Sequence, residues 1–383
     1  MRYRRRTSIG SAAEQDFFVG ILESRLGLMP TRRRVHYLAP VAVSIVLGLG
    51  AAPPVHAASW HVVHIGESIQ HAVDSAKPGD TILLLPGTYH ESVLVTVSDL
   101  TIRGAGSESV ITPAAAVGAS ENACAKAGHG ICVTGTASHR VADVRIESLT
   151  VSGFAKNGIS GSETDRMSVS DVLVEDNGEQ GISQEKSTRG LLVGNTARRN
   201  GQAGIFLANI AYGKGGAIDT EGAVIRGNDL SGNRIGAVVR RARNLTVEHN
   251  TIVGNCGGVF IVGDDGTPRA GALTVRRNKV IANNKYCPPN DRLPYIQGSG
   301  IVLTGVEDTL VTQNKVNHNV GASPLSGGIV LFHSFVGGPS SGNTISDNVA
   351  VGNGPADLVD RDTGIGNTFA GNDCRLSEPA GRC

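Results

Sequence analysis

Apolar residues in this chain come in short alternating runs, and the runs recur. Each clear instance starts with glycine and an apolar residue: Gly158-Ile159, Gly181-Ile182, Gly204-Ile205, Gly236-Ala237, Gly258-Val259, Gly300-Ile301 and Gly328-Ile329. Successive glycines lie 23, 23, 32, 22, 42 and 28 residues apart, so the base period is about 22 residues and the longer intervals hold insertions. Asparagine pairs five apart accompany the runs: Asn195/Asn200, Asn228/Asn233, Asn250/Asn255, Asn278/Asn283, Asn314/Asn319 and Asn348/Asn353. The pieces between are short and β-rich, such as Leu245-Thr246-Val247. No amphipathic run of helical length occurs between residues 141 and 372, which excludes a helical solenoid.

One such repeat cannot bury its inward side chains alone. Stacking repeats at the strand spacing of about 4.8 Å buries a continuous column and pairs each strand with the coil above and below. The pattern therefore predicts an all-β chain folded as a parallel β-helix. Asparagine suits its turns by tolerating left-handed backbone, bonding nearby main chain, and forming ladders where it repeats at one rung. Glycine before each strand is expected to supply a permissive corner.

On these repeats the chain resembles the right-handed parallel β-helix proteins of the pectin-lyase-like superfamily, over roughly residues 60–373. The resemblance implies a single-stranded right-handed solenoid, here of about ten coils in one elongated domain, residues 58–383. The scaffold hosts lyases, hydrolases, epimerases and non-catalytic proteins, so the fold does not name the activity.

Residues 1–57 read as a leader and secretory signal peptide. Arg32-Arg33-Arg34 is a basic region, Leu38 to Ala52 is mostly apolar, and Val55-His56-Ala57 is a cleavage site before Ala58. Met29 is a second candidate start. The apolar run is too short for a retained span, so no membrane attachment is expected after cleavage. Without the leader the chain carries 27 basic and 31 acidic residues, the wrong sign for a nucleic-acid partner. All six cysteines fall in the exported part, as suits a secreted protein, and local pairing predicts Cys124–Cys132, Cys256–Cys287 and Cys374–Cys383. A zinc site has no CxxC spacing to support it. Residues 66–80 predict a helix that stops at Lys77-Pro78-Gly79-Asp80 and caps the N-terminal end of the stack.

Within the Gly-led strand, positions one and three point inward, as in Ile205/Leu207 and Val259/Ile261. Position two points outward yet reads Phe206, Val238, Phe260, Val302 and Val330. Either insertions cover this stripe, or it floors a groove with Phe206 and Phe260 as stacking platforms. Insertions gather on both sides, after the strand at 208–222, 262–272 and 333–343 and before it at 284–299 and 320–327. In enzymes of the resembled superfamily the substrate cleft is a strand face walled by loops in this way.

Polar candidates cluster at the strand's end. Arg240 or Arg241 would pair with a sugar carboxylate, Asp264 and Asp265 would hold Ca²⁺ if the chemistry uses it, and His333 would act as base. Each residue also has an ordinary structural reading: Asp264-Asp265-Gly266 is a turn signal, the arginines suit a solvated strand edge, and His333 opens a loop. Tyr212-Gly213 with Asp219 resembles part of the Tyr-Gly-x-Asp-Pro-His signature of alginate C5-epimerases, lacking its Pro and His, and makes Tyr212 a binding candidate. Gly128-His129-Gly130 precedes Asp264-Asp265, the reverse of the polygalacturonase order, and Asn-Thr-Asp is absent.

The reading that follows is a secreted β-helix that binds a polysaccharide, more acidic than neutral, and acts on it as a lyase or epimerase. No cofactor is required by it. The alternatives are a non-catalytic extracellular scaffold that binds a glycan or protein, and a periplasmic role in metal-centre assembly. Against the latter stand a single methionine after the leader, Met167, and the lack of a His-rich cluster. The sequence is silent on oligomeric state.

Overall fold

Trp60–Val63 pairs in parallel with Thr81–Leu84, and this step repeats through the molecule. The computed structural model describes residues 57–114, 122–210 and 215–383; the expected leader, apart from Ala57, lies outside them. Three long parallel sheets of 12, 11 and 11 strands make up the coil stack, one or two coils more than the sequence count. The third sheet carries the Gly-led strands, from Val93–Val95 to Ser377–Glu378, in the register Ile205↔Ala237↔Val259↔Ile301↔Ile329. The inward residues of all three sheets form one continuous core.

Two asparagine ladders run up the stack. Asn195, Asn228, Asn250, Asn278, Asn314, Asn348 and Asn372 form one, each Nδ2 donating to the next Oδ1 at 2.9 to 3.0 Å. Asn177 through Asn353 form the other, which ends on the Asp357 carboxylate. The same side chains also accept the backbone N–H of the preceding rung and donate to a strand carbonyl, as Asn250 does with Asn228 N and Ile225 O. Buried turns are thereby satisfied without water.

Two expectations are corrected. The left-handed residue is not the asparagine but the one before it, as at His249, Arg277, Gln313 and Asp347, or a glycine as at Gly227 and Gly254. That kink turns the asparagine inward, where its amide serves the ladder. The glycine before each strand needs no unusual dihedral either. Its place is too tight for a side chain: a Cβ on Gly204 would lie 2.8 Å from the Gly236 carbonyl, and one on Gly300 2.2 Å from that of Gly328.

The capping helix α1 is Ile69–Ser75, shorter than 66–80. Ser68 accepts from His71 N, while Glu91 takes the Ile69 and Gln70 N–H groups at 2.6 and 3.1 Å, and Ile69 and Val73 enter the core. A second helix that the sequence pattern did not announce, α2 (Ala123–Ala127), is held by Cys124–Cys132 to the strand Ile131–Thr134. The other two predicted disulfides, Cys256–Cys287 and Cys374–Cys383, are also present. Among the described residues no helix is long and apolar enough to cross a membrane.

Candidate functional site

The outward face of the third sheet presents three columns of side chains. Pleating gives the middle column Ser160, Ser183, Phe206, Val238, Phe260, Val302, Val330 and Val359. One flanking column runs Ser162, Glu185, Ala208, Arg240, Val262, Thr304 and Phe332. The face thus passes from polar to apolar along the stack.

The apolar stripe is buried throughout, at 0 to 8% exposure, and at the earlier coils it also floors a cavity. Over the later coils the insertions fold back: Val302, Val330 and Val359 are 0% exposed and pack with Ile296 and Leu325 in a second apolar cluster, separate from the inner core. Cys256–Cys287 anchors the 284–298 segment, and Arg234 Nη1 donates to Pro288 O at 2.7 Å. Over the earlier coils the face opens into a cavity of about 620 Å³ whose wall includes Gln180, Phe206, Val238, Arg240, Phe260 and Thr304. A neighbouring depression of about 250 Å³ includes His129, Lys156, Asn157, Ser160, Ser183 and Glu185. The two share Glu179, Gln180, Phe206 and Arg292, so they form one cleft.

The five polar candidates from the sequence do not converge, and Arg240 alone among them lines the cavity. Arg241 adopts a left-handed backbone at the corner after the strand, which turns its side chain away from the sheet face. It is buried there, with Nε donating to Asp264 Oδ2 at 2.5 Å. Asp264 Oδ1 meanwhile accepts from Gly266 N, so both oxygens are engaged, while Asp265 is exposed. Among the described residues no group of three or more His, Cys, Asp or Glu side chains gathers as a metal site. His333 is half exposed, with Nδ1 3.4 Å from Asp362 Oδ1, off the cavity wall. Phe206 and Phe260 do line the cavity, but at 6% and 2% exposure they form a recessed floor. Tyr212 lies outside the described residues.

Cleft electrostatics centre on Arg240 and His129. Burial pushes the Arg240 guanidinium below its ordinary value, Arg241 and Arg292 add to this, and Asp264 and Glu185 oppose it. Glu185 and Arg240 stand two strands apart in one column, about 10 Å between backbones, with Ala208 between. Burial likewise lowers the His129 pKa, against Glu179 and with Lys156. The Asn157 N–H donates to its Nδ1 at 3.0 Å, so the neutral ring carries its proton on Nε2.

Glu185 and Thr304 were missed although the repeat register marks them: both stand four residues after the strand glycine, like Arg240. Arg292 and His129 carry no such signal, because their loops place them.

A 101-residue stretch is 34% identical to the 3-dehydroshikimate dehydratase of Acinetobacter baylyi and covers 26% of this chain. The chain thereby spans 20% of that relative's length. Among solved structures, the A-module of mannuronan C-5 epimerase AlgE6 from Azotobacter vinelandii is similar at 17% identity and TM-score 0.52, over 80% of this chain and 91% of that one. The AlgE4 A-module of the same organism gives 16% and 0.51, over 80% and 92%. DFA-IIIase from Arthrobacter chlorophenolicus A6 gives 18% and 0.50, over 79% and 86%. At such identities the likeness is one of fold. The family model described as right handed beta helix region matches residues 87–280, about half of the sequence, and together with the three stacked sheets it makes this chain a member of the right-handed parallel β-helix proteins.

Proposed function

We propose that the cleft on the third sheet binds an acidic polysaccharide outside the cytoplasm, and that the protein acts on it by lyase or C5-epimerase chemistry. The observation that carries this reading is the grouping of Arg240 and Arg292 on one cleft wall with Glu185 two strands from Arg240 in the same column. Abstraction of a proton next to a carboxylate requires a cation to take the growing charge and a base to take the proton. In this arrangement Arg240 and Arg292 pair with the sugar carboxylate, and Glu185 is the carboxylate within reach of the same sugar. Gln180, Ser160 and Ser183 supply hydrogen-bonding groups for hydroxyls. The three disulfides support an exported setting, and the likeness to a mannuronan C-5 epimerase module supports a polysaccharide ligand.

The stretch shared with a dehydratase favours a second reading, elimination of water from a small hydroxy acid. The same three residues would serve it, since dehydration, like lyase elimination, removes a proton and expels an oxygen leaving group, while epimerisation shares only the proton removal.

The test is to incubate the protein with alginate, pectate, hyaluronan, chondroitin and 3-dehydroshikimate, with Ca²⁺ and with chelator, following absorbance and proton NMR. Unsaturated uronate means a lyase, and altered sugar configuration without it an epimerase. Loss of water from the small acid alone transfers the assignment to a dehydratase. Binding without turnover leaves a glycan-binding scaffold, and no response to any compound overturns the proposal.

A further inference from the structure

Resting on the acidic-glycan reading, we infer that the cleft is blind and recognises one end of an acidic glycan chain, so that the protein acts from that end and not within the chain. Three observations carry this.

The first is closure at the C-terminal side. The cavity wall takes Phe206, Val238 and Phe260 from the middle column and nothing from it beyond them, where Val302, Val330 and Val359 are fully buried. In the flanking column Phe332 packs against Phe335, ring centroids 5.0 Å apart.

The second is that the closure is built, not draped. Cys256–Cys287 fixes the 284–298 segment to the sheet, and Cys287 and Ile296 exchange both backbone hydrogen bonds at 3.0 Å. Ser323 Oγ accepts from Gln297 N and donates to Gln297 O, tying in the 320–327 segment. Arg361 Nη1 then donates to Pro324 O at 3.0 Å. A polymer would have to break this wall to continue along the face.

The third is a polar atom waiting at the closed end. Thr304 lines the cavity at 8% exposure, and its buried Oγ1 has no hydrogen-bond partner. A buried hydroxyl in that state is unfavourable until a partner arrives. It stands two strands beyond Arg240, about 10 Å, so a carboxylate at Arg240 places a terminal sugar hydroxyl near Thr304. Towards the N-terminal coils the floor turns polar at Ser183 and Ser160, and the rest of the chain leaves by that side.

The experiment is calorimetric titration with uronate oligosaccharides of defined length, unmodified, or carrying a bulky tag on the reducing or on the non-reducing end. Affinity is expected to level off at a short length. A tag on one end should weaken binding at least about tenfold, and a tag on the other should leave it unchanged. Thr304→Val, nearly the same in shape, should weaken the untagged ligand without lowering Tm. Equal binding of both tagged forms, or a stoichiometry that grows with polymer length, overturns the blind cleft while leaving the glycan reading intact. Failure of every uronate to bind overturns both.

Discussion

At the scale of single residues, the stack is held by groups that water never reaches. Asn250 sits inside its ladder with four partners, whereas Asn372 ends the ladder and is half buried. Asn250→Ala strands the Asn228 N–H and amide, and is expected to lower unfolding free energy by about 2 to 4 kcal/mol. Asn372→Ala should cost about 1 kcal/mol, and urea melts of the two variants check the order. Asp165 offers a test in pH. Burial acts to raise its pKa, but hydrogen bonds from Arg189 and Thr188 and the charge of Arg166 outweigh it and hold the carboxyl below the ordinary range. A lowered folded pKa means stability present above about pH 4 and lost as pH falls through the folded value. Asp165→Asn should therefore lower Tm at pH 7 and flatten its fall below about pH 4, measured by thermal melts.

The element scale separates what the pattern told from what it hid. Strands, sheet register and ladders were legible because a period of about 22 residues forces identical side chains into identical places. The three disulfides were legible because each joins neighbouring segments. The cleft was half legible. Arg240 and the Phe206–Phe260 floor follow from counting residues after the glycine, and the same count applied to earlier and later coils yields Glu185 and Thr304. Arg241, Asp264 and His333 fall outside the cleft for the opposite reason. One corner residue with a left-handed backbone sends Arg241 into an ion pair, and insertion paths, which have no period, leave His333 against Asp362. The 284–298 segment belongs to this unpredictable class, and its disulfide sets its stability. Closing a loop of that length contributes about 3 to 4 kcal/mol by chain entropy. Paired Cys256→Ser and Cys287→Ser changes are expected to raise hydrogen exchange over residues 284–298, with amides at Asn228, Asn250 and Asn278 still protected.

At the scale of the whole coil stack, the described cleft lies on the outward face of the third sheet, walled by the insertions. Function on this scaffold is a matter of which coils stay uncovered: the later coils of the third sheet are plugged, and the coils around Phe206 are open. Arg240→Ala should weaken binding of a uronate oligosaccharide about tenfold or more with Tm nearly unchanged, because the side chain faces the cleft and not the core. His333→Ala, off the cavity, should leave binding as it was. The most direct test of the account is hydrogen–deuterium exchange with and without a saturating uronate hexasaccharide. Protection confined to residues 180–185, 203–208, 235–240 and 290–293 is the predicted footprint. Protection centred on the other two sheets, or none at a concentration where binding is measured, would contradict it.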